Sequence, residues 1–295
     1  MIAIVLNPAS GPTRRPRLRE EIEELFRESG LGARIRELAQ PWDIAAAVRE
    51  SLDERPDAVV VGGGDGTISA AASVLAGTPT PMGVLPLGTL NHFARDAGIP
   101  FDLQKAVQTL AAGHTRCVDV GRVNDRIFVN NSSIGVYPSF VESRERFRAA
   151  GRSKWVSLAL ATAEVLRRDG EVKIRLQDNR TRVLARTPFV FVGNNEYHVE
   201  GFKLGGRTRL DEGRLHAYFA PPARTRDLPA LFAHSVFGFA HRGHRLETMS
   251  GPELRVDTPL TRIINVACDG EVLTLTTPLH YESWPGALTL IAPPG

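Results

Sequence analysis

The sequence predicts a doubly wound parallel α/β domain over residues 1–122, followed by an antiparallel β-sandwich domain over residues 123–295. Three observations carry that prediction. At 295 residues the chain has length for two domains of about 150 residues each. Up to about residue 120, short continuous apolar runs alternate with stretches of helical periodicity, the pattern of a parallel sheet covered on both faces. Beyond that point, short strand-like segments follow one another with polar or Gly/Pro breaks, the texture of a sandwich.

The elements follow in order. Ile2–Leu6 is a continuous apolar strand stopped by the turn-rich Asn7-Pro8-Ala9-Ser10-Gly11. Residues 16–29 place Leu18, Ile22, Leu25 and Phe26 on one helix face. Ala33–Leu38 suits a strand and Asp43–Leu52 a helix, with Asp43 as its N-cap. Ala58–Val61 is a buried strand, broken by Gly62–Thr67 before an Ala-rich helix over 68–76. Pro81–Leu85 repeats the theme, and a helix is expected from about Asn91, capped by Thr89 or Asn91. In the second half, Arg126–Asn130, Val172–Gln177, Arg182–Phe191, Arg214–Phe219, Glu253–Val256, Thr261–Cys268, Glu271–Thr277 and Ala287–Ile291 read as strands, with helical patterns over 153–168 and 226–241. The last strand is a candidate to return to the first domain.

Composition excludes several classes. Hydrophobic residues make up 42% and charged residues 23%, a balance that supplies a buried core and argues against disorder. The net charge of +3 is too mild to indicate nucleic-acid binding. Cys117 and Cys268 stand singly, with no CxxC, so both are expected as small buried apolar residues. The apolar start is shorter than a signal-peptide core, and the longest apolar candidate, Val156 to Leu166, is interrupted by Ser157, Thr162 and Glu164. A cytoplasmic protein is expected.

Chemistry concentrates at Val61-Gly62-Gly63-Gly64-Asp65-Gly66-Thr67. A strand runs into glycines, one carboxylate and a hydroxyl, then opens a helix. Consecutive glycines permit positive φ and close approach, so N–H groups and the helix start can face a phosphate. A carboxylate inside such a cradle implies a shared cation such as Mg²⁺, or a polarised hydroxyl. The same residues also read as a tight turn capped by Asp65. Asn7–Gly11 and Pro86–Asn91 fall after their own strands, on the sheet edge where ligands of such sheets bind. Neither GxxxxGK[ST] nor GxGxxG occurs.

Gly63-Gly64-Asp65-Gly66-Thr67 resembles the GGDGT signature of the diacylglycerol/sphingosine lipid kinase family. Asn7-Pro8-Ala9-Ser10-Gly11 resembles its NPxSG, Gly88-Thr89-Leu90-Asn91 its GTxND, Leu210–Leu215 its LDDGxL and Cys268–Glu271 its DGE, in order over nearly the whole chain. The resemblance implies a two-domain kinase with its active site in the interdomain cleft, moving the γ-phosphoryl of ATP to a lipid hydroxyl with Mg²⁺. It places the nucleotide on Asn7, Ser10, Gly11, Gly63, Gly64, Gly66, Thr67, Gly88, Thr89 and Asn91, with Glu271 on the nucleotide side. Asp65 would hold Mg²⁺ or orient the acceptor, Asp119 would join the Mg²⁺ network, and Asp269 would be general base. Read locally, Asp269-Gly270 is also a type I′ hairpin turn.

Two departures bear on the metal. His92 replaces the GTxND acid, leaving Asp65 and Asp119 to carry the ion or Asp96 to substitute one turn later. Glu212 replaces the second LDDG acid, where the resemblance implies a structural Mg²⁺ held with the carbonyls of Arg209 and Arg214. Arg144 to Lys154, and the apolar helix between Arg224 and Arg245, are expected to touch an anionic membrane carrying the lipid substrate. Two other readings are an NAD-kinase-like phosphotransferase, with Asn195-Glu196 as its ribose pair, and a non-catalytic nucleotide or lipid sensor motivated by His92.

Overall fold

A computed structural model describes residues 1–10, 17–38, 40, 43–135, 172–178, 181–200, 203–219 and 246–294. Gly11, the helical patterns over 153–168 and 226–241 and the two basic segments lie outside the described residues.

The first half is the expected parallel sheet. β1 (Ile2–Leu6), β2 (Ala33–Glu37), β3 (Ala58–Gly63) and β4 (Met82–Pro86) pair in the order β2-β1-β3-β4. Helices α1 (Leu18–Glu28), α2 (Ile44–Asp53) and α3 (Asp65–Leu75) connect them. Period-two alternation divides the apolar strands between two cores. Ala3, Val5, Val59 and Val61 face the core that also takes in Ile44 and Val48 of α2 and Ile68 and Leu75 of α3. Ile4, Leu6 and Val60 face the one formed with Ile22 and Phe26 of α1. The strand order reverses direction between β1 and β3, so the loops after both open at the switch point, where such sheets bind ligands.

Local signals and structure part in identifiable places. α3 begins at Asp65, inside the glycine motif, rather than at residue 68. Asp43 holds the N-cap position of α2 but its side chain makes no capping hydrogen bond. The helix expected from Asn91 is two: α4 (His92–Asp96) and α5 (Leu103–Ala112), the second capped by Asp102, whose Oδ1 accepts the Lys105 N–H at 2.9 Å. Cys117 is exposed, on β5 (Thr115–Val123), contrary to the burial expected of it, whereas Cys268 is buried.

The second half pairs two antiparallel sheets across one apolar core. β6 (Arg126–Phe128) pairs with β5, while β7 (Asn131–Gly135) leaves for the other sheet. β8 (Val172–Gln177) and β9 (Arg182–Thr187) form the outer hairpin of the first sheet. The run expected as one strand over Arg182–Phe191 breaks at Pro188, and β10 (Phe189–Asn194) belongs to the second sheet. A separate ladder joins β11 (Tyr197–Glu200) and β12 (Lys203–Arg207). β13 (Leu215–Phe219), β14 (Glu247–Gly251), β16 (Ile263–Cys268) and β17 (Glu271–Thr276) complete the second sheet, and β15 (Glu253–Asp257) completes the first. Ile134, Val190, Val192, Leu254 and Val256 meet in the core between them.

β18 (Leu279–Ile291) is far longer than the Ala287–Ile291 that the apolar run predicts. Its first part pairs with β15, its last part reaches β4 through Leu290↔Met82, and β5 accompanies it on both sides of an irregularity between Trp284 and Leu288. Pro285-Gly286 reads in sequence as a strand end. In the structure it is a bulge, the accepted place for proline and glycine within a strand. Among the described residues, no helix is long and apolar enough to cross a membrane.

Candidate active site

The glycine loop owes its shape to close packing. A Cβ on Gly63 would lie 2.4 Å from the Thr67 side chain, and one on Gly88 2.5 Å from the Gly64 Cα. The positive φ expected along the motif is not used: none of Gly62, Gly63, Gly64 and Gly66 lies in the left-handed region. Gly66 is different, because a Cβ there would meet nothing within 4 Å. It stands in the first turn of α3, where backbone N–H groups have no partner within the helix.

Polar side chains lock the loops around that turn. Asn7 Nδ2 donates to Thr67 Oγ1 at 3.0 Å, and its Oδ1 accepts the Ala9 N–H at 3.1 Å. Ser10 Oγ lies 3.5 Å from Thr67 Oγ1 and accepts the Gly64 N–H at 3.3 Å. Asn91, itself left-handed at φ 48°, accepts the Gly88 N–H at 2.9 Å and donates to the Gly88 carbonyl at 3.0 Å. It therefore shapes its own loop and does not cap α4 with its side chain. Asp65 does so instead: its Oδ1 accepts the Phe93 N–H at 3.2 Å. Thr89 is exposed.

The second acid arrives from the far end of the chain. Asp269 and Gly270, with φ of 46° and 89°, form the two-residue turn between β16 and β17, the geometry of a type I′ hairpin. The Asp269 carboxylate accepts from three consecutive backbone amides: Val129 at 2.7 Å, Asn130 at 2.8 Å and Asn131 at 3.0 Å. Across the cleft, Ser69 Oγ on α3 donates to it at 2.5 Å. Burial pushes the Asp269 carboxyl up from the ordinary value, while these four donors pull it back down. Ser69 lies one turn after Asp65, so the two carboxylates flank the same turn of α3.

A cavity of about 760 Å³ opens between the halves. Asn7, Ser10, Gly64, Gly66, Thr67 and Ser69 line one wall, and Cys268, Asp269 and Glu271 the other. Of the residues expected at a site, Gly63, Asp65, Gly88, Thr89 and Asn91 do not line it, and neither do Asn195 and Glu196. Instead, Asn195 Oδ1 accepts the Glu212 N–H at 3.1 Å, and Glu212 Oε2 accepts the Glu196 N–H at 3.0 Å.

Several acids expected near a metal are engaged elsewhere. Buried Asp119 accepts the Gly213 N–H at 2.6 Å and the Gly286 N–H at 2.8 Å, tying the 210–214 loop to the β18 bulge. Asp96, offered as a substitute for the acid replaced by His92, is paired with Arg207 at 2.9 Å. His92 is exposed, with Nδ1 3.1 Å from Arg95 Nη2. Around Glu212, His216 Nε2 stands 3.4 Å from its Oε2, and burial lowers the His216 pKa. The Arg214 carbonyl accepts the Asn195 N–H at 3.0 Å, and the Arg209 side chain turns to Asp211 at 3.1 Å. Among the described residues, no three His, Cys, Asp or Glu side chains converge as a ready metal cage.

Sequence reasoning missed Ser69, the Val129–Asn131 amides, and the cleft cations Arg49 and Arg126. Helical spacing from Asp65 was a signal for Ser69. Main-chain donors carry none, because any residue supplies an N–H.

Comparison with known proteins agrees with this architecture. The diacylglycerol kinase catalytic domain is matched over residues 1–123. A probable lipid kinase, YegS-like, of Enterobacter sp. (strain 638) is 36% identical over 224 residues, covering 73% of this chain and 72% of the relative. A protein of the same description from Klebsiella pneumoniae (strain 342) is 28% identical over 284 residues, covering 95% and 92%. The crystal structure of a diacylglycerol kinase from Bacillus anthracis str. Sterne has a TM-score of 0.71 at 18% identity, over 99% of this chain and 97% of that one. At that identity the likeness speaks for the fold.

Proposed function

The chain belongs to the lipid kinase family of diacylglycerol kinase and YegS-like proteins, and we propose that it transfers the γ-phosphoryl of ATP to a lipid hydroxyl in the cleft between its halves. One observation carries the reading: a buried carboxylate from a distant hairpin, Asp269, meets the first turns of the glycine-motif helix through Ser69.

Phosphoryl transfer asks for positioning and charge neutralisation more than for covalent chemistry. In this reading the α3 start and the Ser10–Gly64 and Gly88 loops receive the phosphates. Gly66 leaves room for their approach, and Arg49 and Arg126 offset their charge from the cavity walls. The Asp269 carboxylate takes the proton of the acceptor hydroxyl as its oxygen bonds to the γ-phosphorus and the bond from that phosphorus to the bridging oxygen of the departing ADP breaks. Its amide donors and Ser69 hold its oxygens in place while it waits, and Glu271 faces the nucleotide from the same turn.

The donor set suits Mg²⁺ brought by the nucleotide. That ion uses one or two protein carboxylates together with substrate phosphates and water. Asp65 fits, since among the described residues its Oδ1 accepts the Phe93 amide and its other oxygen meets no donor. Bound there, Mg²⁺ would neutralise charge on the phosphate oxygens. Asp119, spent on two amides, acts in this reading as an architectural residue.

The acceptor is a diacylglycerol-like or sphingoid-like alcohol presented at an anionic membrane, and the protein is cytoplasmic with peripheral attachment. The test is incubation with γ-labelled ATP, Mg²⁺ and vesicles of total bacterial lipid extract, with NAD as a competing acceptor. Label in a lipid that depends on Asp269 and Asp65 is expected. Label in NAD, or none in lipid, overturns the proposal. The engagement of Asn195 and Glu196 with the Glu212 loop supports lipid over NAD.

A further inference from the structure

Behind the Asp269 amides lies a buried ion pair that phosphoryl transfer does not itself require. The Arg207 side chain is 0% exposed and that of Asp96 2%, with Nε 2.9 Å from Oδ2. Arg207 also donates to the Val129 carbonyl at 2.7 Å, the Asn194 carbonyl at 3.0 Å and Asn130 Oδ1 at 2.7 Å. Its guanidinium lies 5.3 Å from the centroid of the Tyr197 ring, and Tyr197 Oη donates to the Asn130 carbonyl at 3.1 Å.

Two peptide units thereby stand between the ion pair and the candidate base. The unit joining Val129 and Asn130 has its oxygen on Arg207 at 2.7 Å and on Asn194 Nδ2 at 3.1 Å, and its N–H on Asp269. The next unit has its oxygen on Tyr197 and the Asn194 amide, and its N–H on Asp269. A trans peptide points its C=O and N–H in opposite directions. The orientation of both N–H groups is therefore set by what holds the two oxygens. Bonds in such a chain also polarise one another. At the other end, Asp96 closes α4, whose first turn is held by Asp65 through the Phe93 amide.

We propose that the Asp96–Arg207 pair is the positioning device of this site, clamping the Val129–Asn131 segment so that its amides aim the Asp269 carboxylate, and linking that clamp through α4 to Asp65. The inference rests on the reading of Asp269 as general base. A buried ion pair is weak support for stability, since apolar or neutral replacements are often as stable. Asp96 and Arg207 touch no reacting atom in this scheme and act through Asp269.

The test uses the full chain carrying the double substitution Asp96→Asn/Arg207→Gln, which removes both charges and strands neither. Single Arg207→Lys serves as the conservative variant and Arg34→Met as a surface control. Amide hydrogen exchange over residues 127–134 is expected to quicken at least about tenfold in the double variant, while β1 and α1 keep wild-type protection. With labelled ATP and vesicles of total lipid extract, kcat is expected to fall on the order of 10²-fold. KM for ATP should stay within about twofold of wild type, with Arg207→Lys between the two and Arg34→Met unchanged. Unchanged exchange at 127–134, or faster exchange raised equally throughout the chain, overturns the clamp. If Asp269→Asn turns over as fast as wild type, the general-base reading fails instead, and the exchange measurement still decides the clamp.

Discussion

Asp269 combines two demands that pull against each other. A base must keep a lone pair for the incoming proton, yet a carboxylate at a hairpin tip needs partners to hold one orientation. Three backbone amides and one hydroxyl supply the orientation, and burial keeps the group more basic than an exposed Asp. Activity needs the ionised form. The rate is therefore expected to be full at neutral pH and to fall as pH drops through a pKa above the ordinary 3.8. A kcat/KM profile with its acid limb at or below that value would contradict the assignment. Asp269→Asn is expected to cost about 10²–10⁴-fold in kcat, measured with labelled ATP. The glycines give a second test at this scale. Gly63→Ala brings a Cβ to 2.4 Å from Thr67 and should cost about 1–3 kcal/mol in denaturant unfolding. Gly66→Ala meets nothing within 4 Å, so stability should hold or rise by up to about 1 kcal/mol. ATP affinity should nonetheless fall, because the methyl enters the space assigned to phosphate. The DG dipeptide was legible as a turn, which the structure shows, and its acid carries the proposed role from that same turn.

At the scale of elements, the decisive feature is that α3 begins within the glycine motif. Starting at Asp65 puts Gly66 in the first turn, and places Asp65 and Ser69 to meet α4 and the β16–β17 turn. Apolar runs and helical periodicity located β1, β3, β4 and α1 well, because their burial is continuous. They failed where a strand's identity depends on its neighbours. Pro188 divides one apolar stretch between two sheets, and Pro285-Gly286 sits inside a strand that sequence ends there. Asp119 exposes the same limit. Its flanking valines mark a strand, but nothing local shows that its carboxylate stitches the Gly213 and Gly286 amides together. Asp119→Ala takes the acceptor from the part-buried Gly213 and Gly286 N–H groups and is expected to cost about 1–3 kcal/mol. Calorimetry should show a lower Tm with ATP affinity retained. Loss of ATP and Mg²⁺ binding without loss of Tm would return Asp119 to the metal site.

For the whole molecule, β5 and β18 matter most. Both strands run alongside each other from the sandwich into the parallel sheet, so the two halves share backbone ladders rather than a flexible linker. One calorimetric unfolding transition is expected, with the van't Hoff and calorimetric enthalpies equal, and saturating ATP–Mg²⁺ should raise its midpoint. Two resolved transitions would show that the halves unfold independently. By itself the sequence determined the fold class and the residue types of the candidate site, because continuous burial, glycine loops and acid-bearing turns leave short-range patterns. Only the tertiary structure decided which donors reach each acid. Asp96 is held by Arg207, Asp119 and Glu212 by loop amides, Asp65 by the Phe93 amide, and Asp269 by three amides and the Ser69 hydroxyl at the cleft. A carboxylate's role depends on which donors reach its oxygens, and those donors come from main-chain groups distant in sequence.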